Sequence, residues 1–326
     1  MVKDQLASNH ISHSHVKLTL FSVVLATNIT TRKIEAIKFF KAGTDITSAE
    51  IESKLVLSLS HPRILQATEY IPQMIVENSN KENVSDEAKL SSLPALVLEY
   101  APNGELLSLI TRHGYLPETL ARTYFHQLID AIEYIHSKGV CHLDIKPDNV
   151  LLDENYCLKL ADFGLAMELG QKKCLKGVAG TSFYLSPEMH LDLKYDAYQA
   201  DLFALGVTLF TMVSGIMPFQ KAKLEDSYYK LIANRDFETF WKKHEALKKK
   251  STNFYTANFR DLMEKMFALD PRSRLSIREI RNHPWLNEGV LMDERISSAL
   301  KSLRVKQLPS VENEPVKRLP WLDVCY

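Results

Sequence analysis

The sequence predicts an α+β molecule in two lobes, a small antiparallel β-sheet with one helix followed by a mainly helical body. Three observations carry this. The first 98 residues show strand-type runs rich in Val, Ile and Phe, residues 99–104 hold a proline and a glycine, and beyond them the apolar spacing turns helical. A length of 326 residues suits two domains or one large two-lobed unit. The expected organisation is a first lobe over 1–98, a hinge over 99–104, a helical lobe over 105–286 and a tail over 287–326.

In chain order, residues 21–26 and 34–39 read as a hairpin across a Thr/Arg/Lys turn. From Ser48, a plausible N-cap, the spacing predicts a helix that buries Ile51, Leu55, Val56 and Leu59 and stops at His61-Pro62. Residues 77–92 form a polar insertion to which we assign no chemistry, and 95–98 read as a buried strand. Pro117 opens a long amphipathic helix with Ala121, Phe125, Leu128, Ile132 and Ile135 on its buried face and Gly139 beyond its end. Two short strands, 150–152 and 157–160, flank the turn Asp153-Glu154-Asn155, which would set Asn149 and Asp162 at neighbouring ends of a hairpin. After Asp196 come an apolar helix and several amphipathic ones, closing at His283-Pro284-Trp285.

Composition narrows the function classes. Forty basic residues balance forty acidic ones, so neither a nucleic-acid nor an anionic membrane surface is expected. Cys141, Cys157, Cys174 and Cys325 lack C-x-x-C spacing, which argues against a zinc site or disulfide framework and for a reducing, cytoplasmic setting, with the nucleus left open. The N-terminus is polar and residue 2 is not glycine, so neither a signal peptide nor myristoylation is expected. The apolar run 202–213 is broken by Gly206, Thr208 and Thr211 and falls short of the ~20 residues of a membrane helix, so it reads as a buried core helix.

The chemistry concentrates in Cys141-His142-Leu143-Asp144-Ile145-Lys146-Pro147-Asp148-Asn149-Val150, followed by Ala161-Asp162-Phe163-Gly164. Asp144 has the chemistry to accept a proton from a hydroxyl, Lys146 to neutralise a moving phosphoryl group, and Asn149 with Asp162 to hold Mg²⁺ through hard oxygens. Either motif alone also fits an ordinary polar loop, since Pro, Asp and Asn are turn formers. Together, in this order and spacing, they resemble the eukaryotic protein kinase family, over about Val16 to Leu286.

That resemblance implies a bilobal kinase fold, ATP and Mg²⁺ as cofactors, and protein serine or threonine hydroxyls as acceptors, Lys146 being the mark of the serine/threonine type. It implies that Lys38 meets the nucleotide phosphates and pairs with Glu52, although Lys38 also reads as a solvated lysine. It further implies that Val23, Ala36 and Leu151 sandwich the adenine, that Leu98 is the gatekeeper and that the Glu99 and Ala101 backbones meet the base edge; all of these equally suit a core. Thr181 would contact Asp144 and Lys146, Glu188 and Arg274 would form a buried ion pair, and Asp201 and Gly206 would steady the Asp144 loop, with Phe203 replacing the usual tryptophan. Glu105 and Asp148 read as recognising a basic residue upstream of the target hydroxyl, as ribose contacts or as solvated charges. The lower lobe is most similar to the calcium/calmodulin-dependent and related group.

Two departures stand out. The three glycine positions of the family's phosphate-covering loop fall on Val16, Leu18 and Phe21, which predicts weakened ATP binding and keeps open a pseudokinase or scaffold. Leu143 replaces the arginine that commonly clamps a loop phosphate, and the stretch between Met167 and Ala179 contains no Ser, Thr or Tyr. Receptor and acceptor are missing together, so the segment is expected to order without phosphorylation. In the tail, Ile296, Ala299, Leu300, Leu303 and Val305 alternate with Lys301, Arg304 and Lys306, which fits a calmodulin or autoinhibitory helix or one packed on its own lobe.

Overall fold

The computed structural model describes residues 11–12, 23–40, 46–77, 90–170, 174–191, 194–248 and 254–307, and the chain divides into two compact units, Met1–Pro102 and Asn103–Tyr326. Val16, Leu18 and Phe21 lie outside the described residues.

The first unit contains β1 (Ile11–Ser12), β2 (Val23–Asn28), β3 (Ile34–Phe39), α1 (Ile46–Ser58), β4 (Ala67–Glu77) and β5 (Leu90–Glu99), with the strands in one sheet of order β1-β2-β3-β5-β4. Each described pairing is antiparallel. Alternation along the strands separates two faces. Ala26, Ile37, Phe39, Ala95 and Val97 point to one face and pack with Ile71 and Met74 of β4 into a core. The opposite register, Val23↔Lys38, Leu25↔Ala36 and Ala36↔Leu98, puts Val23, Leu25, Ala36, Lys38 and Leu98 on the other face, where Val23 and Leu25 are exposed.

Several expectations for this unit need correction. Ser48 lies inside α1, which already runs at Ile46, and Ile51 is 63% exposed. The inward stripe is instead Ala49, Ser53 and Val56, continued by Leu59, an i, i+4, i+7 row from which Ile51 stands about half a turn away. Residues 21 and 22 lie outside the described residues, and the first hairpin strand runs on past Ala26 to Asn28, where the side-chain oxygen accepts the Thr30 and Thr31 amides and shapes the turn. The polar insertion is shorter than 77–92, because β4 extends to Glu77 and β5 begins at Leu90, with Glu77 opposite Leu90. Residues 78–89 lie outside the described residues. Strand β4 itself was not anticipated; Pro72 interrupts its pattern where the register shifts between Ile71 and Met74.

The second unit is mainly helical: α2 (Leu106–His113), α3 (Glu118–Ser137), β6 (Val140–Cys141), β7 (Val150–Leu152), β8 (Leu158–Leu160), β9 (Met167–Glu168), β10 (Cys174–Leu175), α4 (Pro187–His190), β11 (Tyr195–Asp196), α5 (Ala197–Ser214), α6 (Tyr229–Ala233), α7 (Phe237–Ala246), α8 (Ala257–Met266), α9 (Ile277–Arg281) and α10 (Asp293–Gln307). The strands pair as β6-β9, β7-β8 and β10-β11. Helix α3 buries Ala121, Phe125, Leu128, Ile132 and Ile135, and Gly139 follows it at φ 78°. Helix α5 is long and apolar enough to span a membrane by composition, yet every residue except Tyr198 and Gln199 is buried inside the unit. Its N-terminus is capped by Asp196, whose carboxylate accepts the Tyr198 amide at 2.9 Å. In α10, Ile296 and Leu300 are buried, and Gln127 of α3 donates to Asp293 at 2.8 Å, so this helix packs on its own unit.

Arg274 fixes how the end of the unit meets α4. Its Nη1 and Nη2 donate to Glu188 Oε1 and Oε2 at 2.7 and 2.6 Å, its Nε donates to the Ala268 carbonyl at 2.9 Å, and its guanidinium lies 4.9 Å from the Phe203 ring centroid. The pair is buried, so removing one partner strands a charge. Arg274→Ala is expected to cost ~3–5 kcal/mol, read as a lower urea midpoint.

Candidate functional site

Strand β6 delivers the chain into residues 142–149, and the geometry there is set by one carboxylate. Asp201, fully buried on α5, accepts the His142 and Leu143 amides at 2.9 and 2.8 Å and the His136 Nε2–H at 2.8 Å. These bonds hold Leu143 at φ 64°, a left-handed conformation that costs a side-chain-bearing residue ~1–2 kcal/mol. The neighbouring His142 is locked as well: Nε2 donates to the Ala161 carbonyl at 3.0 Å while Nδ1 accepts the Asp144 amide at 3.2 Å. Burial drives the His142 pKa down, in keeping with a neutral ring that donates at one nitrogen and accepts at the other.

The loop then presents the Asp144 carboxylate to three donors. Lys146 Nζ donates to Oδ2 at 2.8 Å, Asn149 Nδ2 donates to Oδ2 at 2.8 Å, and Thr181 donates to Oδ1 from its hydroxyl at 2.8 Å and its amide at 3.0 Å. Lys146 Nζ also donates to Thr181 Oγ1 at 2.6 Å. Burial alone pushes the Asp144 carboxyl up, but these hydrogen bonds and the Lys146 charge outweigh it and hold the group below the usual carboxylate range. The approach of Thr181 depends on Gly180: at φ 108° it passes so close to the Leu143 carbonyl that an added Cβ would lie 2.4 Å from the oxygen.

Asn149 and Asp162 sit at adjoining ends of the β7–β8 hairpin, where the Ala161 amide donates to the Asn149 carbonyl at 2.8 Å. Asn149 Nδ2 donates to both the Asp144 carbonyl and its carboxylate at 2.8 Å, which leaves Oδ1 as the amide's free acceptor. Asp162 stands exposed at φ 58°. A hard-oxygen amide beside an exposed carboxylate fits a divalent cation such as Mg²⁺. Within the first unit, Lys38 Nζ meets Glu52 Oε1 at 2.6 Å, with both groups largely buried. Val23, Ala36 and Leu98 share the Lys38 face of the sheet, while Glu99 ends β5 and Ala101 follows it. Leu151 and Glu105 belong to the second unit, where they form an isolated bridge.

Leu143 reaches away from Asp144 into an apolar cluster with Cys141, Leu169, Leu185, Met189, Tyr195, Ala197 and Ala200, flanked by Leu175, Ala179 and Tyr198. Four of these residues, Leu169, Leu175, Ala179 and Leu185, come from the hydroxyl-poor stretch and its continuation. The cluster is tied further by β10, where Leu175 pairs with Tyr195. Sequence reading noted that Leu143 removes a phosphate clamp but missed what replaces it; the apolar residues 169, 175, 179 and 185 in that stretch were the available signal. The role of His136 was missed too, because nothing in its local sequence points to a carboxylate 65 positions away.

Two substitutions test this geometry. Thr181→Ala removes a charge-assisted hydrogen bond worth ~1.5–3 kcal/mol from the Asp144 carboxylate, so that carboxyl should titrate higher than in the wild type with little change in the melting curve. Leu143→Ala should lower unfolding free energy by ~2–5 kcal/mol in urea titration, as expected for truncating a buried leucine.

A family model for the protein kinase domain matches residues 20–286. Among curated proteins, the chain is 34% identical over 290 residues to CBL-interacting protein kinase 11 of Oryza sativa subsp. japonica, covering 86% of this chain and 52% of the relative. It is 32% identical over 266 residues to the probable serine/threonine-protein kinase MARK-A of Dictyostelium discoideum, covering 80% of this chain and 22% of that protein. It is 39% identical over 196 residues to CBL-interacting serine/threonine-protein kinase 5 of Arabidopsis thaliana, covering 59% of this chain and 41% of the relative. The chain thus spans about half the length of the rice and Arabidopsis relatives and less of the slime-mould one. With a family match over most of the sequence and the motifs around Asp144 and Asp162 in place, the chain belongs to the eukaryotic serine/threonine protein kinase family.

Proposed function

We propose that the chain is a working kinase that transfers the γ-phosphoryl group of ATP to serine or threonine hydroxyls of proteins. The observation that carries this is the convergence of Lys146, Asn149 and Thr181 on the ionised Asp144 carboxylate. Asp144 accepts the proton of the substrate hydroxyl, and Thr181 and Lys146 fix which carboxylate oxygen faces it. Lys146 also places a positive charge beside the transferring group. Lys38, oriented by Glu52, positions the nucleotide phosphates, and Val23, Ala36 and Leu98 on the same sheet face supply apolar surface for the base, with the Glu99 and Ala101 backbones at its edge. Mg²⁺ bound by Asn149 and Asp162 would supply charge neutralisation on the phosphates.

The Leu143 cluster supports a kinase that needs no phosphate on its activation segment. Apolar burial of Leu169, Leu175, Ala179 and Leu185 takes the place that an arginine–phosphate pair would fill. Glu105 and Asp148 favour substrates with an upstream basic residue. Burial raises both carboxyls and Asp148 repels Glu105, the Lys146 charge offsets this only in part, and neither makes an ion pair among the described residues, so an arriving cation relieves them further. The rice relatives are named for interacting with CBL, which supports a regulatory protein partner in addition to substrates. A kinase-fold scaffold without activity is the competing reading, favoured by Val16, Leu18 and Phe21 at the glycine positions.

A radiolabelled ATP assay on a basic serine peptide separates the two. Wild type should incorporate label and Asp144→Asn should lose about a thousandfold or more; equal signal from both would establish the scaffold reading. Phosphatase-treated protein should retain its rate, and a loss of rate on treatment would contradict phosphate independence. Because the Asp144 value is depressed, the base stays ionised through neutral pH and is lost only as pH falls through that lowered value. The acid limb of kcat/KM should therefore lie below the ordinary carboxylate range and move up in Lys146→Ala.

A further inference from the structure

Between α6, α7 and α8 the second unit holds a cleft of about 460 Å³ that phosphoryl transfer does not use. Sites that take organic groups run from about 300 to 1,000 Å³, so this one has room for one or two bulky side chains. Its apolar lining comes from Ile232, Ala233, Phe237, Ala268 and Leu269, and Leu269 is 44% exposed. Covering such a surface removes it from water and is favourable.

Four of the five charged side chains lining the cleft are already engaged. Asp261 accepts from Lys265 at 2.7 Å and from His283 at 2.8 Å, Asp270 accepts from Arg272 at 2.9 Å, and Glu264 accepts the Trp241 indole N–H at 2.6 Å. The fifth, Arg235, makes no ion pair among the described residues, although three carboxylates share the cleft with it. Its backbone is held in an uncommon state. Arg235 has φ 59° just beyond α6, where the Asp236 amide donates to the Leu231 carbonyl at 2.8 Å and the Arg235 amide to the Ile232 carbonyl at 3.0 Å. That is the helix-ending pattern whose left-handed position ordinarily holds glycine. A fixed and strained turn thus carries an exposed, uncommitted guanidinium to the cleft.

An apolar lining beside one uncommitted guanidinium calls for a segment that joins a large apolar side chain to a carboxylate. The chain itself contains one, Leu319-Pro320-Trp321-Leu322-Asp323-Val324. Lys317 and Arg318 precede it, so the segment as a whole suits a cleft whose walls include Asp261, Glu264 and Asp270. Residues 308–326 lie outside the described residues, and their reach is set by length. From Gln307, where α10 ends, to Trp321 the chain advances 14 residues, at most about 45–50 Å when extended. A unit the size of Asn103–Tyr326 has a radius of gyration of about 17 Å, so that reach spans it. We infer that Trp321 and Leu322 fill this cleft and that Asp323 pairs with Arg235, fastening the tail to its own unit between α6, α7 and α8. The inference does not depend on phosphoryl transfer.

The test compares full-length proteins by hydrogen exchange. Amides within residues 229–237 and 261–270 should exchange about tenfold more slowly in wild type than in W321A/L322A. R235E should lose that protection and the charge-swapped R235E/D323R should regain it. Equal exchange in wild type and W321A/L322A, or no recovery in R235E/D323R, overturns the docking. A labelled peptide of residues 316–324, titrated by fluorescence anisotropy, then separates this chain's tail from a segment of another protein. W321A/L322A, with its cleft uncovered, should bind the peptide about five- to tenfold tighter than wild type, whose own tail competes for the site. Equal binding by the two proteins, or binding by neither, overturns the assignment to this tail.

Discussion

The Asp201 carboxylate is the constraint on which the site hangs. Buried on α5, it accepts two consecutive backbone amides and a histidine N–H, and so holds the chain in a left-handed turn at Leu143 that no local interaction would favour. A buried carboxylate is tolerable only when fully hydrogen-bonded, and the loop supplies those bonds. Each side thus stabilises the other. The consequence is felt one residue on, where Asp144 leaves the turn aimed at Lys146, Asn149 and Thr181.

The same turn sends Leu143 in the opposite direction. In a kinase with arginine at this position, the side chain would meet a phosphate; here it meets Leu169, Leu185, Met189 and Tyr195. An electrostatic latch and an apolar one both fasten the activation segment to the Asp144 loop, but they respond to different signals. The first can be switched by a modifying enzyme, whereas the second, on the function proposed above, needs none. Arg274 and Glu188 then tie the far end of the segment to the last turns of the unit.

Much of this was legible in the sequence, and the reason is local. The β7–β8 hairpin, α3 and α5 follow from apolar periodicity and turn residues, and the chemistry of Asp144, Lys146, Asn149 and Asp162 follows from side-chain type at close spacing. Likewise the absence of hydroxyls between Met167 and Ala179 is a fact of composition. What only the tertiary structure decided depends on residues far apart in the chain. Ile51 faces outward because α1 packs through Ala49, Ser53 and Val56, and β4 escaped notice because Pro72 breaks its pattern while pairing with β5 sustains it. The partners of Leu143 and the hold of His136 on Asp201 are long-range contacts. No window of sequence contains them, because packing and electrostatics act through space rather than along the chain.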